Sequence, residues 1–176
     1  FNLGRILEAR GDVADAERRV TSRTRGIIPV HLFGLSADMD SVLALARKHN
    51  LFVIEDAACA LGCFHGDQHV GTLGDVGCFS FHPRKSITTG EGGMITCNDE
   101  AMWSRMWSFK DHGKNWDAVY NRQHPPGFRW VHESIGTNWR MLEMQGAIGR
   151  IQLRRMADWT EKRTSNARRV IAVLAQ

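Results

Sequence analysis

The apolar run Leu51-Phe52-Val53-Ile54 stops at two adjacent carboxylates, Glu55 and Asp56, and two alanines follow them. Four β-prone apolar residues bounded in this way suit a strand buried on both faces, the kind that fills a parallel sheet covered by helices. The segment before it agrees. Met39, Val42, Leu43 and Ala46 fall on one helical face, Ser36 or Asp38 can cap its start, and Asn50 can end it. A helix feeding directly into a buried strand is the repeating unit of α/β architecture. The remaining pattern continues the alternation: a helix over 13–20, a strand over 27–31, a hairpin over 65–70 turning at Gly66-Asp67, strands over 76–81 and 94–97, and a helix from 99 toward 109. From 111 to 137, around Pro125-Pro126-Gly127, the periodicity fails, and a loop that long inside a domain is usually functional or mobile. Helical spacing returns at Leu142 and runs through Ala147 and Ile151; a break is expected near Ala157-Asp158, before a last helix ending near Ala175.

Size and composition allow this. The chain has 176 residues, 43% of them apolar, enough for the core of one ordinary domain. No stretch approaches the roughly 20 apolar residues of a membrane-spanning helix, and no membrane partner is expected. Cys59, Cys63, Cys78 and Cys97 show neither paired metal spacing nor a dense disulfide pattern. They read as free thiols of a reducing, cytoplasmic protein with no metal, Cys78 and Cys97 lying in buried strands. The net charge of +4 raises the question of nucleic acid. However, Arg150, Arg154, Arg155, Lys162, Arg163, Arg168 and Arg169 are interleaved with Ile151, Leu153, Met156 and Trp159 at helical spacing, which favours a solvated helix face over a nucleic-acid site. The tryptophans read as packing and interface anchors.

Two residues carry chemistry. Lys85 lies in Phe79-Ser80-Phe81-His82-Pro83-Arg84-Lys85-Ser86-Ile87-Thr88-Thr89-Gly90-Glu91-Gly92-Gly93, between a strand and a glycine-rich loop. A lysine is a nucleophile only when its amine is deprotonated and aimed, and a strand end beside closely approaching backbone supplies fixed geometry and partial desolvation. Asp56 stands at the carboxyl end of a strand, where open parallel sheets bind ligands. Because side chains alternate, Glu55 and Asp56 leave on opposite faces; Asp56 is preferred, since Ala57 and Ala58 let a flat group come close. A lysine and an aspartate so placed are what pyridoxal phosphate requires: the amine holds the aldehyde as a Schiff base, and the carboxylate pairs with the pyridinium nitrogen.

Six collinear segments then resemble one family, the DegT/DnrJ/EryC1/StrS sugar aminotransferases, within the fold-type I pyridoxal-phosphate enzymes. They are Pro29-Val30-His31-Leu32-Phe33-Gly34, Asp38-Met39-Asp40, Val53-Ile54-Glu55-Asp56-Ala57-Ala58, Gly71-Thr72-Leu73-Gly74-Asp75, the run from Ser80 to Gly93, and Gly136-Thr137-Asn138-Trp139-Arg140-Met141. The resemblance implies a three-layer α/β/α sandwich with a mostly parallel sheet, part of the large domain, over residues 1–155. Residues 156–176 would be a helix leading toward a small C-terminal domain. It implies that Lys85 carries the cofactor and moves the proton, that Asp56 binds the ring nitrogen, that Ser80 binds the phosphate, and that Asn138 reaches the phosphate from a neighbouring subunit of a homodimer with shared active sites. Core hydroxyl and turn or cap residue are the structural alternatives for Ser80 and Asn138. Cys59 stands where the family most often has glutamine, histidine or another polar residue near the ring and substrate. His82, and more remotely His31, could face the pocket.

The activity implied is transfer of an amino group, from glutamate, onto a keto group of a nucleotide-linked deoxysugar for polysaccharide biosynthesis. A related sugar dehydratase is the alternative, although that subgroup typically has histidine in place of the lysine; a non-catalytic cofactor- or partner-binding module is another. The opening Phe1-Asn2-Leu3 resembles a point inside the large domain, so the chain reads as part of a longer enzyme.

Overall fold

The structure is a computed structural model and describes residues 12–175; the opening Phe1-Asn2-Leu3 lies outside them. The chain divides into two units, one ending at Phe79 and resumed over Met94–Arg140, the other made of Ser80–Gly93 and the chain from Met141 onward.

In the first unit α1 (Val13–Arg18) precedes β1 (Gly26–Ile27). The strand expected over 27–31 is cut short because Pro29 has no N–H to give a ladder. Val30 rejoins the sheet by one parallel bridge to Asp56, with the Asp56 N–H donating to the Pro29 carbonyl at 2.9 Å and the His31 N–H to the Asp56 carbonyl at 3.0 Å. After a short turn at Leu32–Gly34 comes α2 (Met39–His49). Asp38 caps it by accepting the Ser41 N–H at 3.2 Å, and Asn50 ends it in the left-handed region at φ 51°. Met39, Val42, Leu45 and Ala46 are buried with Ile27 and Val53, so Leu45 rather than Leu43 holds the centre of the apolar face.

β2 (Phe52–Asp56) pairs in parallel with β1, and its neighbour on the other side is the strand Val76–Ser80, also parallel. Between them the hairpin β3 (Phe64–His65) and β4 (Gln68–His69) forms about the expected Gly66-Asp67 turn. β5 covers Val76–Ser80 and β6 covers Gly93–Cys97, giving the sheet order β1-β2-β5-β6. A second small core joins Ala57, Ala60, Val70 and Phe79. Then follow α3 (Glu100–Lys110), capped by Asp99, and α4 (Trp116–Tyr120), capped by Asn115. α4 falls inside the stretch whose pattern fails: five residues are too few for a periodicity to show. Trp103, Trp107, Trp116 and Tyr120 pack edge-on or tilted there, as packing anchors.

In the second unit α5 runs unbroken over Glu143–Leu174. The break expected near Ala157-Asp158 does not occur, since neither residue interrupts a helix and Thr160 bonds back to the Met156 carbonyl at 2.8 Å. Its basic residues are exposed, and Arg163 lies over the Trp159 ring at 5.8 Å.

The two faces of β2 differ as alternation requires. Val53 and Glu55 are buried; Ile54 and Asp56 are half-buried. Glu55 is fully inaccessible, which for a carboxylate demands partners. Its Oε2 accepts from the Gly71 N–H at 2.7 Å and lies 3.0 Å from His31 Nε2; its Oε1 accepts from the N–H groups of Leu73 at 2.7 Å and Gly74 at 2.6 Å. The His31 Nδ1 accepts the Ala37 N–H at 3.1 Å, so the ring proton sits on Nε2 and is donated to Glu55. Gly71 must be glycine: its φ is +83°, and a Cβ would collide with the Phe79 ring.

Burial alone would push the Glu55 carboxyl up, but the His31 bond and the three backbone donors together hold it below its ordinary value of 4.5. A carboxyl depressed by folding stabilises the native state above its unfolded value and loses that contribution as pH falls through the depressed one. Glu55→Gln keeps the shape but turns an N–H toward donors. It should cost on the order of 3 kcal/mol at neutral pH. The loss of stability on acidification below pH 4.5 should be shallower than in the parent, as read from urea midpoints between pH 6 and pH 3.

Candidate active site

Asp56 ends β2, fixed on both sides by main chain: to Pro29 and His31 on one, and on the other by the register Asp56 with Cys78 and the Ala57 N–H donated to the Cys78 carbonyl at 2.9 Å. Its Oδ1 accepts the Ala58 N–H at 3.1 Å, which turns the half-buried carboxylate over the alanines. Ala57 is fully buried and Ala58 half-buried. The field of this carboxylate reaches its neighbour in the sheet: burial, and then the Asp56 charge, push the Cys78 thiol above 9.0. Cys78 and Cys97 do lie in strands, though half-buried rather than enclosed. Cys59 is exposed, three residues past Asp56.

Asn138, in the same unit, is exposed and outside the main sheet, in an antiparallel bridge to Asp111. Around it the Trp139 N–H donates to the Lys110 carbonyl at 2.9 Å, the Thr137 N–H to the Phe109 carbonyl at 2.7 Å, and its own Oδ1 accepts from Arg140 Nε at 3.3 Å. Asp111 anchors this. It is 7% exposed, with Lys114 Nζ at 3.1 Å and Arg140 Nε at 3.4 Å. Burial raises its carboxyl, and the Lys114 hydrogen bond with the charges of Lys114, Arg140 and Lys110 brings it below its usual range. The segment read from sequence as patternless is therefore pinned to the end of α3.

Ser80 and Lys85 belong to the second unit, in a loop closed on itself. The Phe81 N–H donates to the Gly92 carbonyl at 2.8 Å, the Thr89 N–H to the Phe81 carbonyl at 3.1 Å, and the Lys85 N–H to the His82 carbonyl at 3.0 Å. The Ser80 hydroxyl accepts the His82 N–H at 3.4 Å, and Lys85 is half-buried. His82 is exposed; its Nδ1 accepts the Arg84 N–H at 3.3 Å. Gly92 passes at φ +147° where a Cβ would strike the Thr89 hydroxyl. The loop is fastened to α5 by two glutamines one heptad apart on the same face. Gln145 Nε2 donates to the Glu91 carbonyl at 2.8 Å while its Oε1 accepts the Leu142 N–H, and Gln152 Oε1 accepts the Thr88 N–H at 2.9 Å. Sequence reading missed both glutamines. The i, i+7 spacing was available, but nothing in the sequence named the loop as their partner.

His31 is fully buried and bonded to Glu55 and Ala37, so it is a structural histidine rather than a pocket residue. The Gly71–Asp75 segment is structural too: its N–H groups hold Glu55, and Asp75 accepts the Val53 N–H at 2.7 Å.

The first unit holds a carboxylate over small residues at a strand end and an exposed amide, and the second a half-buried amine on a braced loop and a hydroxyl, which are donor and acceptor types that pyridoxal phosphate uses. Residues 8–176 match the model of the DegT/DnrJ/EryC1/StrS aminotransferase family. A GDP-perosamine synthase of Escherichia coli O157:H7 is 41% identical over 86% of this chain and 39% of its own. The solved aminotransferase of Psychrobacter cryohalolentis is 53% identical with a TM-score of 0.89, covering 93% of this chain and 42% of that one. The structure of S. venezuelae DesV in complex with a ketimine intermediate is 36% identical with a TM-score of 0.79, covering 93% of this chain and 41% of that one. The chain thus spans about two fifths of the length of these relatives.

The link between Asp56 and Cys78 can be measured directly. In a protein whose other cysteines are serine, Asp56→Asn should move the pH midpoint of Cys78 alkylation downward, because the charge opposing the thiolate is gone while the burial remains. An unmoved midpoint would place the carboxylate out of reach of the thiol.

Proposed function

The chain belongs to the DegT/DnrJ/EryC1/StrS aminotransferase family, and from that premise we propose that the full-length protein is a pyridoxal-phosphate enzyme moving an amino group, from glutamate, onto a keto carbon of a nucleotide-linked deoxysugar. The observation that carries the reading is Lys85, the family's amine, held on a loop whose backbone is braced at both ends. Relatives that use nucleotide-linked sugars by name, the GDP-perosamine synthase among them, support the substrate class. A lysine at this position favours transamination over the dehydratase alternative.

When bound, pyridoxal phosphate supplies an electron-withdrawing ring that stabilises negative charge on the carbon next to the transferred nitrogen. The work of the chain is then positioning and proton movement. Asp56, preset by the Ala58 N–H, holds a proton on the ring nitrogen. Nζ of Lys85 would hold the cofactor by its aldehyde and would be the group that carries the proton during transfer. Ser80 and Asn138 hold phosphate oxygens, Asn138 from the partner subunit of a homodimer. Cys59 borders the ring and the substrate, a small and weakly bonding group there. A cytoplasmic location fits free thiols, and no described helix is long and apolar enough to cross a membrane.

In the full-length enzyme, Lys85→Ala should abolish transamination, and Asp56→Asn should slow it about a thousandfold, since each decade corresponds to about 1.4 kcal/mol of barrier. Steady-state turnover with glutamate and a keto-sugar nucleotide reads both, and a Lys85→Ala protein that still turns over refutes the assignment. Shared sites are tested by mixing Lys85→Ala and Asn138→Ala proteins and comparing the activity with the sum of the two alone. A heterodimer then has one site with both defects and one with neither, so random exchange should restore about a quarter of the parental activity. Exchange seen by mass with no activity would place Asn138 in its own subunit's site.

A further inference from the structure

We propose that the buried Glu55–His31 pair is a positioning device for Asp56, so that two residues unable to touch a ligand set how tightly the cofactor ring is held; this rests on the reading that Asp56 pairs with the ring nitrogen. Glu55 and His31 are both wholly inaccessible, and Glu55 leaves β2 on the face opposite Asp56. Their influence must pass through the backbone. The route is short. Asp56 presents its N–H and C=O to residues 29–31, at 2.9 and 3.0 Å, where proline has prevented a regular ladder and only one bridge survives. Besides these main-chain bonds, 29–31 is held against β2 by the His31 ring, tied at Nε2 to Glu55 and at Nδ1 to Ala37. Glu55 is held in turn by the N–H groups of Gly71, Leu73 and Gly74. The carboxylate thus clamps both flanks of the strand end from which Asp56 projects. β5 fixes the other flank through the Asp56 and Cys78 register, but the 29–31 flank has a single bridge, and without the clamp that flank would let the Asp56 dihedrals drift; an ion pair to a ring nitrogen is sensitive to displacements well below 1 Å.

The test uses the full-length protein with pyridoxal phosphate itself as the probe. His31→Leu removes both ring bonds, whereas in His31→Gln the side-chain amide can still donate to Glu55. The readouts are pyridoxal phosphate affinity by fluorescence titration and the pH at which the absorbance band of the bound cofactor changes. His31→Leu should weaken binding by about tenfold or more, the scale on which outer-shell partners of metal ligands act, and should move the pH midpoint in the same direction as Asp56→Asn does. His31→Gln should stay close to the parent. A folded His31→Leu protein with parental affinity and midpoint overturns the proposal.

If His31→Leu does not fold, His31→Asn takes its place, because asparagine can still accept from Ala37 but is too short to reach Glu55. A further measurement needs no variant. Linkage is reciprocal, so cofactor binding should slow amide hydrogen exchange at Gly71, Leu73 and Gly74, which lie behind Asp56; unchanged exchange there overturns the proposal as well. Asp56→Asn separates the two levels of argument. If it alters affinity and midpoint while the His31 variants do not, only the positioning role falls. If Asp56→Asn alters neither, the assignment of Asp56 falls and takes the positioning role with it.

Discussion

A carboxylate fully removed from water is tolerated only when its charge is met on nearly every lone pair, and at Glu55 four donors do this: one imidazole and three backbone amides. The sheet around it is small. β1 has two residues, and its continuation is one bridge past a proline. Regular pairing holds the β5 side of the β2 end, and on the side of residues 29–31 the ordering falls to side chain and amide bonds centred on Glu55. Gly71 and His31 are bonded directly to it.

The two acids at the end of β2 divide the labour by face. Glu55, on the side of Val53 and α2, is spent on structure; Asp56, one residue later, keeps a carboxylate oxygen on the Ala58 N–H and its charge within reach of Cys78. The lysine loop repeats the principle with neutral groups. Two α5 glutamines and the hydroxyls of Thr88 and Thr89 bond to backbone groups of Phe81, Thr88 and Glu91, so Lys85 is carried on a segment braced on both sides of it.

Much of this was legible from residue order alone. The α2–β2 unit, its caps at Asp38 and Asn50, the hairpin turn and the strands flanking the lysine loop follow from patterns confined to a few neighbouring residues. Alternation also placed Glu55 and Asp56 on opposite faces. What escaped were pairings across long separations: His31 with Glu55, Gln145 and Gln152 with the lysine loop, and Asp111 with Arg140. Each partner alone looks like an ordinary polar residue. α4 was missed because it is too short to have a period, and the unbroken α5 because a dip in apolar content at Ala157-Asp158 is not a breaker. Lys85 and Asp56 stood out by their places after strands, beside glycines and alanines, whereas Ser80, Asn138 and Cys59 stood out through resemblance alone.

The Glu55 carboxylate also has a consequence for how this region becomes ordered. Its bond to His31 closes a loop 24 residues apart in sequence, and those to Gly71 and Gly74 close loops of 16 and 19. Closing one such loop costs conformational entropy that no single hydrogen bond repays. Because all of them meet at one buried charge, making the first closure desolvates Glu55 and makes the absence of the others costly. Residues 29–37 and 71–75 therefore order together or not at all, and the strand end between them behaves as a single cooperative switch from chain to surface.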